Sequence, residues 1–426
     1  MISKLKRICK VSDSRRNFLR KAIKGLILIV SASPLTLLAK TKEGKESEVK
    51  KLNLKEKNFV APKITGIDIY KLTIPYKEPM RISLGLISTA DNLLVRVDTD
   101  SGIYGLGEGS PVWAIVGENQ AIDFDAAIQF ARLIKGKNPL AVEERMREIE
   151  GLIAHNTTVK SAFDMALYDL LGKFSNLPLY ALLAGEKREF YTDLTIGINT
   201  PEVMAEKAVN IKNQGFPAIK AKVGTNKADD LARIQAIRKA LGDNIPIRID
   251  ANQGWDYKVA LNTLLALEPY GIQYCEQPVA NWNHEALKLL REKTMIPIMA
   301  DEAVFNHHDA LKLAAMNACD YFNIKLSKSS GIHQALKINA IAEAAGIKCM
   351  LGCMSESRLA LTACAHVVSA RPNFEFADLD SALQLVDDPV VGGLVYDRGK
   401  ILLPETPGHG ADIDPAYLKK LEKISI

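Results

Sequence analysis

The chain has 426 residues, 47% of them hydrophobic and 25% charged, which is enough to bury a large core and more than one minimal barrel needs. Its formal charge of +5 is unevenly placed, because residues 1–24 carry nine Lys or Arg against Asp13 alone. The remainder is net negative by about three, which removes the electrostatic case for nucleic acid.

The N-terminus reads as a targeting segment. Ser14-Arg15-Arg16-Asn17-Phe18-Leu19-Arg20-Lys21 resembles the twin-arginine export signal, and an apolar stretch from Gly25 to Ala39 follows it. That stretch is short for a membrane span and is interrupted by Pro34. No clean small-x-small cleavage site is present, so an uncleaved N-terminal anchor stays open as the one membrane contact. Residues 1–39 are assigned to a signal for export to the periplasm, and residues 40–59, charged and without apolar periodicity, to a linker.

From Ile64 the pattern alternates as strands do, over Gly66 to Leu72, Leu93 to Val97 and Tyr104 to Glu108, which predicts an antiparallel meander. Helical periodicity follows over Ala121 to Ile134 and Ser161 to Leu171, giving an α+β capping domain over residues 60–190. Gly105, Gly107 and Gly109 superficially suggest a phosphate loop, but they do not open a helix inside a βαβ unit. The six cysteines (Cys9, Cys275, Cys319, Cys349, Cys353 and Cys364) form no CxxC pair and sit mostly in apolar stretches, so they read as buried free thiols.

Beyond Thr192, apolar runs alternate with amphipathic helices: Ala218 to Val223, Ile245 to Ile249, Ile272 to Tyr274, Ile296 to Ala300, Tyr321 to Ile324, Lys348 to Leu351 and Glu375 to Ala377. Lys227 to Ala240 and His333 to Ala344 are two of the helices. The recurrence predicts an α/β fold, a TIM-type β/α barrel over 191–385. Residues 386–426 read as irregular chain returning to complete the capping domain.

Polar residues stand at the ends of these runs. Lys222, Asp250, Glu276, Asp301 and Lys325 follow one another at intervals of 28, 26, 25 and 24 residues, the length of one strand–helix unit, so a closed barrel delivers them to one rim. Asp250, Glu276 and Asp301 make an oxygen-only cage for a hard divalent cation. Lys222 and Lys325, on well separated strands, flank whatever the cation holds. This equipment suits removal of a proton beside a carboxylate and its return from either face. Such a proton is weakly acidic because its loss puts a second negative charge on a small group, which only dense local positive charge makes tolerable. Lys220 adds to that charge, and crowding by cations favours the neutral amine a base requires. Asn252 and Glu302 read as groups that orient the ligands. Lys328 reads as a loop or surface charge, and His307 and His308 as solvated loop histidines.

Lys-x-Lys at 220–222, Asp-x-Asn at 250–252, Glu-Gln-Pro at 276–278, Ala-Asp-Glu at 300–302 and Asn-Ile-Lys-Leu at 323–326 occur in the order found in the enolase superfamily. From Thr65 to Gly410 the chain resembles its muconate-cycloisomerase-like subgroup, and most of all the dipeptide epimerases. The resemblance implies a modified barrel with a capping domain and one Mg2+ per active site. It further implies 1,1-proton transfer through an enediolate at the Cα of a dipeptide's C-terminal residue, with Lys222 and Lys325 as the two bases. Gly352-Cys353-Met354-Ser355-Glu356-Ser357 is similar to the seventh-strand motif of these enzymes and makes Cys353, Met354 and Glu356 substrate-binding candidates. For Glu356, a purely structural hydrogen-bond acceptor is the equal alternative. Asp378-Leu379-Asp380 resembles the Asp-x-Asp that holds a dipeptide's ammonium group.

Relatives acting on alanyl-glutamate resemble this chain around Lys77 to Gly85 but carry an arginine near Gly85. Its absence implies small or apolar dipeptides, with Arg81 as the candidate that could still reach the pocket. The partner expected is thus a small dipeptide, with homo-oligomerisation left open. Rival readings are a cycloisomerase, a succinylbenzoate synthase or an N-acyl amino acid racemase of the same superfamily and, outside catalysis, an exported peptide-binding protein.

Overall fold

The computed structural model describes residues 60–426. The signal-like segment, the linker and Cys9 lie outside the described residues. Strands β1 (Ile64–Ile82), β2 (Gly85–Thr99) and β3 (Tyr104–Gly109) form the expected antiparallel meander, in a four-stranded sheet whose outer member is the terminal strand Lys423–Ser425. The returning tail is therefore ordered at its end, with Asp68 opposite Ser425 and Tyr70 opposite Lys423.

β1 and β2 are longer than their alternation suggested. They run on as a hairpin whose register shifts between Pro75 and Met80, where Lys77, Glu78 and Pro79 break the apolar pattern. The hairpin closes at Ser83 and Leu84, and Ser83 Oγ donates to the carbonyl of Asn252 at 2.8 Å, tying its tip to the barrel rim.

Helices Gln120–Ile134, Val142–Leu152 and Thr157–Ser175 cover one face of the sheet, with Phe130 and Phe163 edge to face at 5.7 Å in their core. The three glycines of β3 lie flat against the helix Thr157–Ser175. A Cβ on Gly107 would come within 1.9 Å of the Ala162 carbonyl, and one on Gly105 within 2.1 Å of the Ala166 carbonyl. Close backbone approach, and no phosphate, accounts for them.

The second layer is an eight-stranded parallel sheet in sequential order: β4 (Leu194–Ile196), β5 (Ile219–Lys222), β6 (Ile247–Asp250), β7 (Ile272–Glu276), β8 (Ile298–Ala300), β9 (Tyr321–Ile324), β10 (Lys348–Leu351) and β11 (Phe374–Ala377). A parallel bridge between Thr192 and Ala377, with the Leu379 amide donating to Thr192 Oγ1 at 2.8 Å, joins its two edges into a barrel. Sequence periodicity missed β4, whose three residues are too few to show a pattern.

The strand ends are in register, with Lys222 beside Asp250 and Asp250 beside Glu276, so one rim receives all their side chains. Inside the barrel Arg248 donates to Asp193 at 2.8 Å and lies over the Phe376 ring at 4.8 Å, closing the floor beneath that rim. The five described cysteines are free and buried, as expected.

Candidate active site

Each strand from β5 to β9 ends in a buried charge or is followed directly by one. Lys222, from β5, contacts Asp250 Oδ2 at 2.6 Å. Lys220, 1% exposed, lies 2.7 Å from Asp378, 2.8 Å from Glu276 and 3.2 Å from Asp250. Lys325, from the turn after β9, lies 2.8 Å from Asp301 Oδ2 and 4.0 Å from Glu276 Oε1. Four strand positions separate β5 from β9 in a ring of eight, so the two flanking lysines face each other across the barrel with the three acids between them.

Backbone conformation aims these groups. Asn252, Gln253 and Gln277 all have positive φ (39°, 68° and 34°), a left-handed geometry that costs about 1–2 kcal/mol per residue and persists only where the surroundings enforce it. The enforcement is visible: Gln277 Oε1 accepts from the amides of Asp301 and Ala303 at 2.9 and 3.1 Å, lacing the β7 exit to the β8 exit. Asn323 Nδ2 donates to Glu276 Oε1 at 2.8 Å, and the Asn252 amide donates to Asp250 Oδ1 at 2.8 Å. Asn252 Nδ2 reaches Glu302 Oε1 at 3.2 Å, placing both expected orienting residues beside the acids. Gln277 and Asn323 sit within the quoted motifs, but residue type alone did not reveal what they hold.

The electrostatics are those of a crowded acid cluster. Burial alone would raise the Asp250 carboxyl, but Lys222 and then Lys220 outweigh it and hold it at about 2. Burial likewise opposes ionisation of Asp301, and Lys325 and Lys328 overcome it, keeping the carboxyl below the usual range. For Glu276, burial and the Asp250 charge push the carboxyl up. Glu302 is pushed up to about 7 by burial and by Asp301.

Burial would lower Lys325, yet Asp301 and Glu276 hold it above an ordinary lysine. The expected neutral base is therefore not what the protein alone provides, because the acids that face Lys325 stabilise its charged form.

Lys328 also departs from expectation. Far from a surface charge, it is fully buried, 2.7 Å from Asp301 Oδ1, and donates to the carbonyls of Asp301 and of Asn323, the latter at 3.0 Å.

The acids fit a hard divalent cation by their chemistry. Glu276 Oε2 and both Asp301 oxygens are buried without a hydrogen bond, their close contacts including the ammoniums of Lys220, Lys325 and Lys328 at 2.7–2.8 Å. They are not gathered as tightly as Cys353, Asp378 and Asp380, the one trio of such donors among the described residues whose atoms all lie within 4.8 Å of one another. Asp380 accepts from the Thr195 amide at 2.6 Å, and Cys353 Sγ lies 3.7 Å from it. Asp378 keeps Oδ1 free of any hydrogen bond. Burial and Asp378 raise Asp380 to about 6.

A cavity of about 60 Å3 lies between these groups and is lined by Lys220, Lys222, Lys325, Cys353, Met354, Asp378 and Asp380, with Tyr76, Met80 and Ile82 of the hairpin above. Two substrate candidates fall outside it. Glu356 is buried and accepts from Ser327 Oγ at 2.9 Å and from the Met354 amide at 2.5 Å, which is the structural alternative. Arg81 is exposed, pointing away from the cavity because alternation along β1 turns Met80 and Ile82 inward. His307 and His308 stand at a helix start, His307 Nδ1 2.8 Å from Gln334 Oε1, remote from the cavity's lining.

Residues 64–184 match the mandelate racemase / muconate lactonizing enzyme N-terminal domain, and residues 203–417 match the enolase C-terminal domain-like family. The chain belongs to the enolase superfamily. Among its superfamily relatives, the D-Ala-D/L-Ala epimerase of Cytophaga hutchinsonii is 46% identical over 365 residues, 85% of this chain and 99% of the relative. The hydrophobic dipeptide epimerase of Enterococcus faecalis is 42% identical, covering 82% of this chain and 99% of its own length. The crystal structure of the Cytophaga hutchinsonii dipeptide epimerase with Mg and D-Ala-L-Val matches with a TM-score of 0.85 at 45% identity, over 85% of this chain and 100% of that one. The capped barrel inferred from the motifs is thus the superfamily's own.

Proposed function

We propose that this superfamily member is a Mg2+-dependent dipeptide epimerase that inverts the Cα of a dipeptide's C-terminal residue by two-base proton transfer. The observation that carries the reading is the placement of Lys222 and Lys325 across the barrel from each other with Asp250, Glu276 and Asp301 between them. Asp250, Glu276 and Asp301 are the residues that would hold Mg2+. When bound, the ion would supply positive charge to the substrate carboxylate and relieve the acids of their surplus. Lys220 adds a fixed positive charge at the same place. One flanking lysine removes the α-proton and the other returns a proton to the opposite face, so the roles exchange with the direction of reaction. Taking acid charge away from Lys325 also favours the neutral amine it needs as a base.

Asp378, with one unengaged oxygen, and Asp380 would receive the peptide's ammonium group. The hairpin side chains Tyr76, Met80 and Ile82 close the cavity above and exclude water. Gly85 brings no cation to the hairpin tip, which supports small or apolar C-terminal residues. The hydrophobic-dipeptide and D-Ala-D/L-Ala relatives support the same class. Export through the twin-arginine-type segment belongs to the same proposal and would place the enzyme where peptide digests are available. Fractionation of cells expressing the full chain tests it, and activity confined to the cytoplasm would end it.

The test of the reaction is incorporation of deuterium at Cα of Ala-Ala in D2O. Exchange that requires Mg2+ supports the proposal. Its absence across a dipeptide library, with turnover of a cycloisomerase or N-acyl amino acid substrate instead, rejects it.

A further inference from the structure

The larger of two adjoining cavities is not the one that holds Lys220, Lys222 and Lys325. A space of about 610 Å3 lies beside it, and the two share Met80, Thr195 and Gln384 as walls. The catalytic cavity, at about 60 Å3, is roughly a tenth of that size. A dipeptide seated there must push a wall outward. Met80 and Gln384 are long, unbranched side chains that yield readily, so the enlarged site opens into the neighbouring space. The shared wall stands at the Asp378–Asp380 end, because Gln384 Nε2 donates to Asp380 Oδ2 at 3.2 Å and the Thr195 amide donates to the same oxygen at 2.6 Å. The neighbouring space therefore continues from the end of the site where the peptide ammonium would sit.

Its charge is opposite to that of the catalytic centre. Lys77, Arg81, Lys207 and Arg398 line it, against Glu78 as the one acid. Glu78 is taken by Lys207, and Lys77 donates to the Leu383 carbonyl at 2.8 Å. Arg81 and Arg398 form no ion pair with any described residue, leaving each guanidinium able to pair with a carboxylate that enters this space.

We propose that this basic cavity is a subsite for an acidic side chain on the N-terminal residue of the substrate. This rests on the dipeptide reading above. The ammonium of such a residue faces Asp378 and Asp380, while its side-chain carboxylate, on the far side of Met80 and Gln384, faces Arg81 and Arg398. The two ends of the residue thus meet two fields of opposite sign, which an N-terminal Lys or Arg would meet unfavourably.

The experiment compares kcat/KM for Glu-Ala, its neutral isostere Gln-Ala, and Ala-Ala, with the Mg2+-loaded enzyme at low and high salt. Glu-Ala is expected to exceed Gln-Ala by about threefold or more at low salt, because exposed guanidinium groups give a modest and screened attraction. In the double variant Arg81→Gln, Arg398→Gln the Glu-Ala to Gln-Ala ratio is expected to fall to about one. That ratio is internal to each protein, so partial misfolding does not mimic the result. Equal use of Glu-Ala and Gln-Ala by the unaltered enzyme, or a ratio the double variant leaves intact, overturns the subsite while Ala-Ala turnover stands. Failure of Glu-Ala, Gln-Ala and Ala-Ala alike to exchange their α-protons, as part of a silent dipeptide library, brings down the dipeptide reading, and the subsite with it.

Discussion

Lys328 Nζ lies 2.7 Å from Oδ1 of Asp301, with neither side chain exposed, while Lys325 holds the other oxygen of the same carboxylate at 2.8 Å. The two lysines differ in freedom: Lys328 is pinned by two backbone carbonyls as well, whereas Lys325 lines the cavity and can turn toward a substrate. Lys328→Met is therefore expected to destabilise the metal-free protein by about 3 kcal/mol, the cost of breaking a buried pair. Urea unfolding in EDTA measures it. Mg2+ should restore more stability to this variant than to the unaltered protein, since a bound cation compensates the same carboxylate. Equal stabilisation of both would show that Lys328 and the cation act on different charges.

Lys222→Ala and Lys325→Ala are each expected to lower epimerisation by at least about a hundredfold, the usual worth of a positioned acid or base. Because each lysine serves one face, each variant should still exchange the α-proton of a single epimer in D2O, and the two variants should favour opposite epimers. Near-normal epimerisation in either one would leave the two-base scheme without support.

EDTA should abolish activity and Mg2+ restore it, and Asp250→Asn, Glu276→Gln and Asp301→Asn should each weaken Mg2+ binding measured by calorimetry. An amide keeps the shape but loses the charge that retains a hard cation. Undiminished turnover in metal-free buffer would contradict the assignment.

Asp378→Asn is expected to raise KM for free dipeptides far more than for their N-acetyl counterparts, because only the former present a cation to be paired. Equal effects on both would point to an N-acyl amino acid as the natural substrate.

Acid stability should depend on His366, which lies in the buried helix Arg358–Ala370. The Tyr180 amide donates to its Nδ1 at 3.2 Å and its Nε2 faces the His409 carbonyl at 3.1 Å, an arrangement that suits the neutral ring. Burial lowers its pKa from the ordinary 6.5 to about 3. Its stabilising contribution is thus complete above pH 6.5 and is lost as pH falls toward 3, since the unfolded chain takes up a proton that the folded one refuses. The loss between pH 7 and pH 5 is about 2 kcal/mol. His366→Gln should flatten that part of the stability curve, and an unchanged slope would show that other groups control it.

The placement of Lys222, Asp250, Glu276, Asp301 and Lys325 was legible because one barrel unit repeats at nearly constant length, so spacing brings all five to one rim. Lys328 was not, because a lysine that follows a strand looks the same in sequence whether it meets water or Asp301. Arg81 lies outside the lysine-lined cavity for the reason that decides every strand residue: a single step of alternation separates a side chain in that cavity from one outside it. The Arg248–Asp193 pair was invisible for want of contiguity, since 55 residues separate its members. The extension of the hairpin to Ile82 was hidden by Lys77, Glu78 and Pro79, charged and rigid residues at the point where β1 shifts register.

The first and last barrel strands are stitched together more sparingly than any other pair. Beyond the bridge at Thr192, the fasteners are the side chains of Thr192 and Asp380, the second of which grips the backbone of β4 at Thr195. The acid proposed to meet the ligand is thus also a stitch in the wall. Occupancy by an ammonium group would draw on the same carboxylate that keeps the seam shut, and amide hydrogen exchange at Leu194 to Ile196 becomes a reporter of ligation that needs no turnover.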